Sequence, residues 1–179
     1  MFKHEKVLWI TRTAILIALT IILQAITLQL GNQFITGSIV NLMLIISVMT
    51  CGLSTGLTVS IFTPILPTLL GFGPLWPVVP FIAAGNMALT SLWHFIGSRK
   101  MGSVYVSYTL ALIAGATLKF LVLYIGVVRI AMPYILGLPE QHVMAVLFSY
   151  PQLITAAAGG VCAIILLPIL LKAIKDRQK

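Results

Sequence analysis

Lys119 is the only formal charge set well inside one of the long apolar runs of this chain, in Gly115-Ala-Thr-Leu-Lys-Phe-Leu-Val-Leu-Tyr124. An ammonium at membrane depth is costly unless it is paired or hydrated, so an ionisable residue there marks a functional site. The three acids, Glu5, Glu140 and Asp176, all fall outside the apolar runs. The chemistry that suits Lys119 is therefore an anionic or strongly hydrogen-bonding ligand.

Other polar residues reach a comparable depth. At about 1.5 Å rise per residue, Lys119 stands about 24 Å from the inner end of its run, in the outer half of a hydrocarbon core about 30 Å thick. Counted inward from the outer ends of three other runs, Asn41, Asn86, and Ser149, Tyr150 and Gln152 in Phe148-Ser-Tyr-Pro-Gln-Leu153 come to the same level. Apolar walls with a few converging donors and acceptors are the usual form of a small-molecule site. Taken singly, each amide reads as interhelical glue; Lys119 reads the other way, because no acid shares its depth. Trp76 could stack on a ligand, although a Trp at this position reads first as an interfacial anchor, as do Trp93 and His94 near the inner face. Arg129 and Tyr134 flank the outer mouth, where they could steer or cap an anion. The candidate ligand contacts are Lys119, Asn86, Tyr150, Gln152, Asn41, Trp76 and Arg129.

Several catalytic classes find no support. Gly52-Leu-Ser-Thr-Gly56 matches the nucleophile-elbow pattern, but that motif needs a strand-turn-helix context with a partnered His and acid. It reads as a tight turn of small residues. Without acids in the apolar runs, neither an intramembrane aspartyl protease nor a carboxylate proton relay can be assembled. No GxxxxGK[ST] loop is present, so ATP hydrolysis by this chain is not expected. Cys51 and Cys162 are isolated and read as small buried thiols, with no metal set.

The elements that must position these residues follow from composition. Hydrophobic residues make up 60% of the 179 and charged ones 8%, and mean hydropathy is +1.11. A polytopic, all-α membrane protein is the expectation, since the runs are continuous where a barrel needs alternation. Breakers and charges divide the chain into six spans, about 8–30, 34–51, 55–71, 78–97, 103–128 and 143–172, forming one domain over 1–179. The first run exceeds a signal-peptide core and reads as a retained helix. Pro64 and Pro67 predict a kinked or partly unwound third span. No internal repeat is evident.

The net charge of +8 sorts by topology and forms no basic stripe, so nucleic acid is not an expected partner. Nine of the eleven Lys and Arg are Lys3, Lys6, Arg12, Arg99, Lys100, Lys172, Lys175, Arg177 and Lys179. Positive charge marks the cytoplasmic side, so both ends of the chain and the 98–102 connection are expected inside. Three connections, 31–37, 71–77 and about 129–142, then face outside.

In the first span, Ala14 and Ala18 lie one turn apart and make a small-xxx-small face for close helix approach. With Gly37-Ser-Ile-Val-Asn41, Phe62-Thr-Pro-Ile-Leu-Pro67, Pro80-Phe-Ile-Ala-Ala-Gly-Asn86 and Phe148-Ser-Tyr-Pro-Gln-Leu-Ile-Thr155, the whole chain resembles the substrate-binding S components of energy-coupling-factor (ECF) transporters. The resemblance implies a six-helix, N-in and C-in subunit of a bacterial cell membrane that binds one micronutrient, commonly a vitamin, in an outward-facing pocket. It implies as partners a membrane-embedded coupling (T) subunit, docking on Ala14 and Ala18, and two cytosolic ATPases that hydrolyse the ATP. It implies no cofactor, metal or catalytic activity in this chain.

A cation and amides without an acid favour a carboxylate-bearing vitamin such as pantothenate or niacin over cationic thiamine. Neutral ligands such as hydroxymethylpyrimidine, pyridoxine, queuosine or cobalamin stay open. The competing readings are a self-sufficient secondary carrier or channel, an intramembrane enzyme using Ser54 or Lys119, and a structural or assembly subunit whose polar residues are only glue.

Overall fold

The computed structural model describes residues 2–99, 101–138 and 143–176. Lys100, Arg177 and Lys179 of the charge pattern, and Glu140 and His142 of the third outer connection, lie outside the described residues. The fold is 87% helix, with no strand among the described residues. Seven helices follow in order: α1 (Phe2–Leu28), α2 (Gln33–Cys51), α3 (Leu53–Leu69), α4 (Val79–Leu92), α5 (Val104–Leu123), α6 (Val143–Leu147) and α7 (Tyr150–Asp176). Five helical stretches, Glu5–Leu28, Gln33–Cys51, Trp76–Gly97, Val104–Ile135 and Ala145–Asp176, are long and apolar enough to cross a membrane, as a multi-pass membrane protein requires. At 17 residues, α3 is shorter than these.

The ends of the helices are set by local chemistry. Asn32 caps α2, its side chain accepting from Phe34 N at 2.9 Å. Gly52 alone separates α2 from α3, with φ +90°, a conformation that penalises a Cβ. The GLSTG segment is thus a one-residue break between helices, as its small residues suggest. Beyond α3, Phe72 N and Gly73 N both donate to Pro67 O, at 3.0 and 2.9 Å, folding the 70–74 turn back onto the helix end.

The helices pack about α2, which runs most extensively against α7 and also touches α1, α3 and α4; α5 closes the bundle between α4 and α7. Close approach of α2 and α7 depends on glycine. A Cβ on Gly159 would meet Ser38 O at 2.6 Å and Asn41 Cβ at 2.8 Å, and one on Gly37 would meet Thr155 at 2.9 Å. On α1, threonines at heptad spacing, Thr13, Thr20 and Thr27, are the buried residues among those described. The hydroxyls of Thr20 and Thr27 bond back to Leu16 O and Leu23 O, and only Thr13 reaches another helix, at Thr55 Oγ1, 3.2 Å away.

Two apolar cores result. One, toward the end holding Gly52, gathers Leu44, Ile45, Val48, Val59, Leu89, Trp93, Tyr108 and Leu167. The other, toward the opposite end, gathers Val78, Leu123, Val127, Met132 and Phe148. Along α4 and α5, Asn86 and Lys119 fall between them.

Five expectations change. The helix of α3 runs through Pro64 and Pro67 without unwinding, and Asn86 takes over the carbonyl of Ser60 that Pro64 leaves free. The fifth span continues past 128 as a π-helical segment, Tyr124–Ile135, so Arg129 lies on a helix. The sixth divides: Phe148 and Ser149 separate α6 from α7, whose second residue is Pro151, a residue suited to a helix start because it has no N–H to satisfy. Finally, Trp93 is wholly enclosed and packs on Tyr108 at 5.8 Å, so it is a core residue and not an interfacial anchor. The thiols also differ from expectation. Cys162 is exposed, on the face of α7 that carries Val161 and Ile165, and Cys51 is only half-buried.

Candidate functional site

The Lys119 side chain is 3% exposed, and its ammonium donates to Asn41 Oδ1 at 2.5 Å and to Asn86 Oδ1 at 2.7 Å. Three helices thus meet at one nitrogen: α5 supplies the cation, α2 and α4 the acceptors. An ammonium only donates, so the amide oxygens must face it and the amide nitrogens must turn away. Asn41 Nδ2 turns to Thr155 Oγ1 on α7, and Asn86 Nδ2 to Ser60 O on α3, both at 3.4 Å.

The second of these contacts explains a proline. In an α-helix the carbonyl of residue 60 would accept from the N–H of residue 64, but Pro64 has none. The freed Ser60 O is the acceptor that Asn86 uses. Ser60 Oγ and Thr90 Oγ1 lie 3.2 Å apart beside it, and Thr90 Oγ1 donates to Asn86 O at 3.1 Å. Asn86 is therefore fixed from both its amide and its backbone.

Charge and hydrogen bonding are unequal here. The two partners of Lys119 are neutral amides, and among the described residues no carboxylate joins them. One of its three N–H donors has no protein partner. Neutral acceptors solvate the ammonium without cancelling its charge, so the positive field stays available to an anion.

That nitrogen lines a cavity of about 260 Å³. Its walls come from the end of α1 (Gln24, Leu28), the start of α2 (Gln33, Thr36, Asn41), the last turns of α3 (Thr63, Pro64), the 72–74 turn, α4 (Ile82, Asn86) and the α6–α7 junction (Phe148, Gln152). The volume lies just under the roughly 300–1,000 Å³ of pockets for drug-sized ligands. It suits a small metabolite.

Of the residues singled out in the sequence, the cavity brings together Lys119, Asn41, Asn86 and Gln152. It does not include Tyr150, Trp76 or Arg129. Tyr150 is 74% exposed because residues two apart on a helix face different ways, so Gln152 points in and Tyr150 out. Its ring stacks on Phe120 at 6.2 Å, Phe120 on Tyr124 at 5.7 Å, and Arg129 lies over Tyr124 at 5.5 Å. Trp76 is 54% exposed in the 3-10 turn that precedes α4, and Tyr134 is exposed too.

Four polar cavity residues escaped the sequence reading: Gln24, Gln33, Thr36 and Thr63. Gln24 carried a usable signal, as the amide in the middle of Ile21-Ile-Leu-Gln-Ala-Ile26. Thr36 and Thr63 carried none, since threonine is common in membrane helices as a back-bonded hydroxyl.

No family model, no curated protein and no solved structure matches this chain, so its functional reading rests on the buried ammonium and the cavity it lines.

Proposed function

We propose that this chain is the substrate-capture subunit of an ECF-type importer, binding a small carboxylate-bearing micronutrient and delivering it to an ATP-driven coupling module. One observation carries the reading: a buried lysine whose ammonium is held by two neutral amides, with no acid among the described residues, lines a cavity of metabolite size. A bound carboxylate supplies the missing negative charge and accepts the remaining N–H.

The orientation is supported by charge. The cavity lies at the end where the 29–32 and 70–75 connections gather. Arg12, Arg99, Lys172 and Lys175 belong to the opposite end, which the positive-inside bias makes cytoplasmic in a bacterial membrane. Six spans, counting α3, then leave the cavity facing outward. On α1, Ala14 and Ala18 are exposed, and only 11% of the helix's apolar window is buried, against 33–44% in the other four long stretches. That open face suits the coupling subunit. Delivery rests on partners because the sequence has no nucleotide-binding loop of its own.

The test is to purify the chain in lipid nanodiscs, identify any co-purified small molecule by mass spectrometry, and record thermal shifts across a vitamin panel, with Lys119→Ala in parallel. A carboxylate ligand that binds the parent chain and not the variant supports the reading. If the variant changes only the melting temperature and no compound binds either protein, Lys119 is structural and the capture role falls.

A further inference from the structure

We infer that the cavity selects a monocarboxylate bearing an O–H or N–H donor away from its carboxylate, and that Gln24 reads this donor. The inference rests on the capture reading above and narrows its substrate class.

It follows from which hydrogen-bonding groups of the wall are already spent. The donors are largely engaged inside the protein. Asn41 Nδ2 and Asn86 Nδ2 are turned to Thr155 and Ser60. The hydroxyls of Thr36 and Thr63 donate to Asn32 O and Val59 O, at 3.4 and 2.6 Å. Gln152 Nε2 donates to Leu147 O at 3.2 Å. What remains for an anion is the third N–H of Lys119, the single charge-assisted donor, beside the neutral amide N–H groups of Gln24 and Gln33, which also line the cavity. A phosphate or a second carboxylate brings more charge than one ammonium can match.

The acceptors, in contrast, are left over. Thr36 Oγ1, Thr63 Oγ1 and Gln152 Oε1 retain lone pairs. Gln24 Oε1 is buried with no hydrogen-bond partner, one of two such side-chain atoms among the described residues. The other, Trp93 Nε1, belongs to a residue of the core and not of the cavity. The terminal torsion of glutamine is broad and two-fold, so a half-turn of the amide offers Oε1 to the cavity that Gln24 lines. A ligand O–H or N–H then satisfies it.

Four probes separate the classes, used on the full chain in nanodiscs by calorimetric titration. Pantothenate is a monocarboxylate with hydroxyls and an amide N–H. Panthenol replaces the carboxylate by an alcohol, 4′-phosphopantothenate adds a dianion, and nicotinate is a monocarboxylate without a donor. Pantothenate should bind tightest. Gln24→Met, an isosteric apolar change, should weaken it about tenfold while leaving nicotinate unchanged, and a retained melting transition shows that the variant is folded. Preference for panthenol, phosphopantothenate or nicotinate, or an unchanged pantothenate affinity in Gln24→Met, overturns the inference and leaves the capture role standing. So does a co-purified ligand that is neutral, dianionic or without a donor. If none of the four binds and nothing co-purifies, both fail together.

Discussion

A lysine whose charge is solvated but not neutralised behaves differently from an ion-paired one, and the difference is measurable. Lys119→Met removes the cation and keeps much of its bulk. Carboxylate binding should fall by more than about a hundredfold, whereas the melting temperature should move little, because a buried charge is itself costly to retain. Asn86→Leu should do the reverse in proportion, destabilising by about 1–3 kcal/mol as both the ammonium and Ser60 O lose a partner, read by denaturation in detergent. At this scale the sequence was legible where a single polar residue interrupts an apolar run: Lys119, Asn41 and Asn86 all met that test, and so did Gln24. It was not legible in azimuth. Depth alone gave Tyr150 and Gln152 the same standing, and only the helix start at Tyr150 sends one to the cavity and the other to the surface.

Pro64 is a positioning device within α3, and it sets local regularity against function. Pro64→Ala restores the N–H that Ser60 O would accept and so competes with Asn86 for that carbonyl. The melting temperature should rise or hold while ligand affinity drops several-fold, a divergence that thermal shift and titration on the same samples would reveal. Gly159→Ala tests the α2–α7 contact. Its Cβ would meet the Ser38 carbonyl at 2.6 Å, backbone that cannot step aside, so about 1–3 kcal/mol of destabilisation is expected by the same denaturation assay. Element types were legible from hydropathy, yet several boundaries were not. Arg129 marks the end of the apolar run but not of the helix, because the π-helical segment carries the backbone on to Ile135. The break at Phe148 and Ser149 lies inside a run that stays apolar on both sides, so only Pro151 hints at it.

For the molecule as a whole, the two ends have opposite characters, a cavity among glycine- and proline-rich turns at one and Arg12, Arg99, Lys172 and Lys175 at the other. In a chain whose Cys51 and Cys162 are replaced by serine, Asn32→Cys should react with an impermeant maleimide on intact cells and Met101→Cys only after lysis. The inverse pattern would reverse the orientation. Under the proposed importer role, Ala14→Trp or Ala18→Trp should abolish uptake while sparing ligand binding to the isolated chain; normal uptake would remove that face from the docking assignment. The threonine stripe of α1 bears on how such docking could be felt inside. Thr20 and Thr27 spend their hydroxyls on their own helix, so among the described residues α1 has only the Thr13 to Thr55 side-chain bond to fix its register against α3. A rod held that way can slide along its axis at the cost of that one bond and its dispersion contacts. Because Gln24 rides on that rod, a tug applied to α1 from the membrane would withdraw one wall from a bound solute while Lys119, anchored by α2 and α4, stays put.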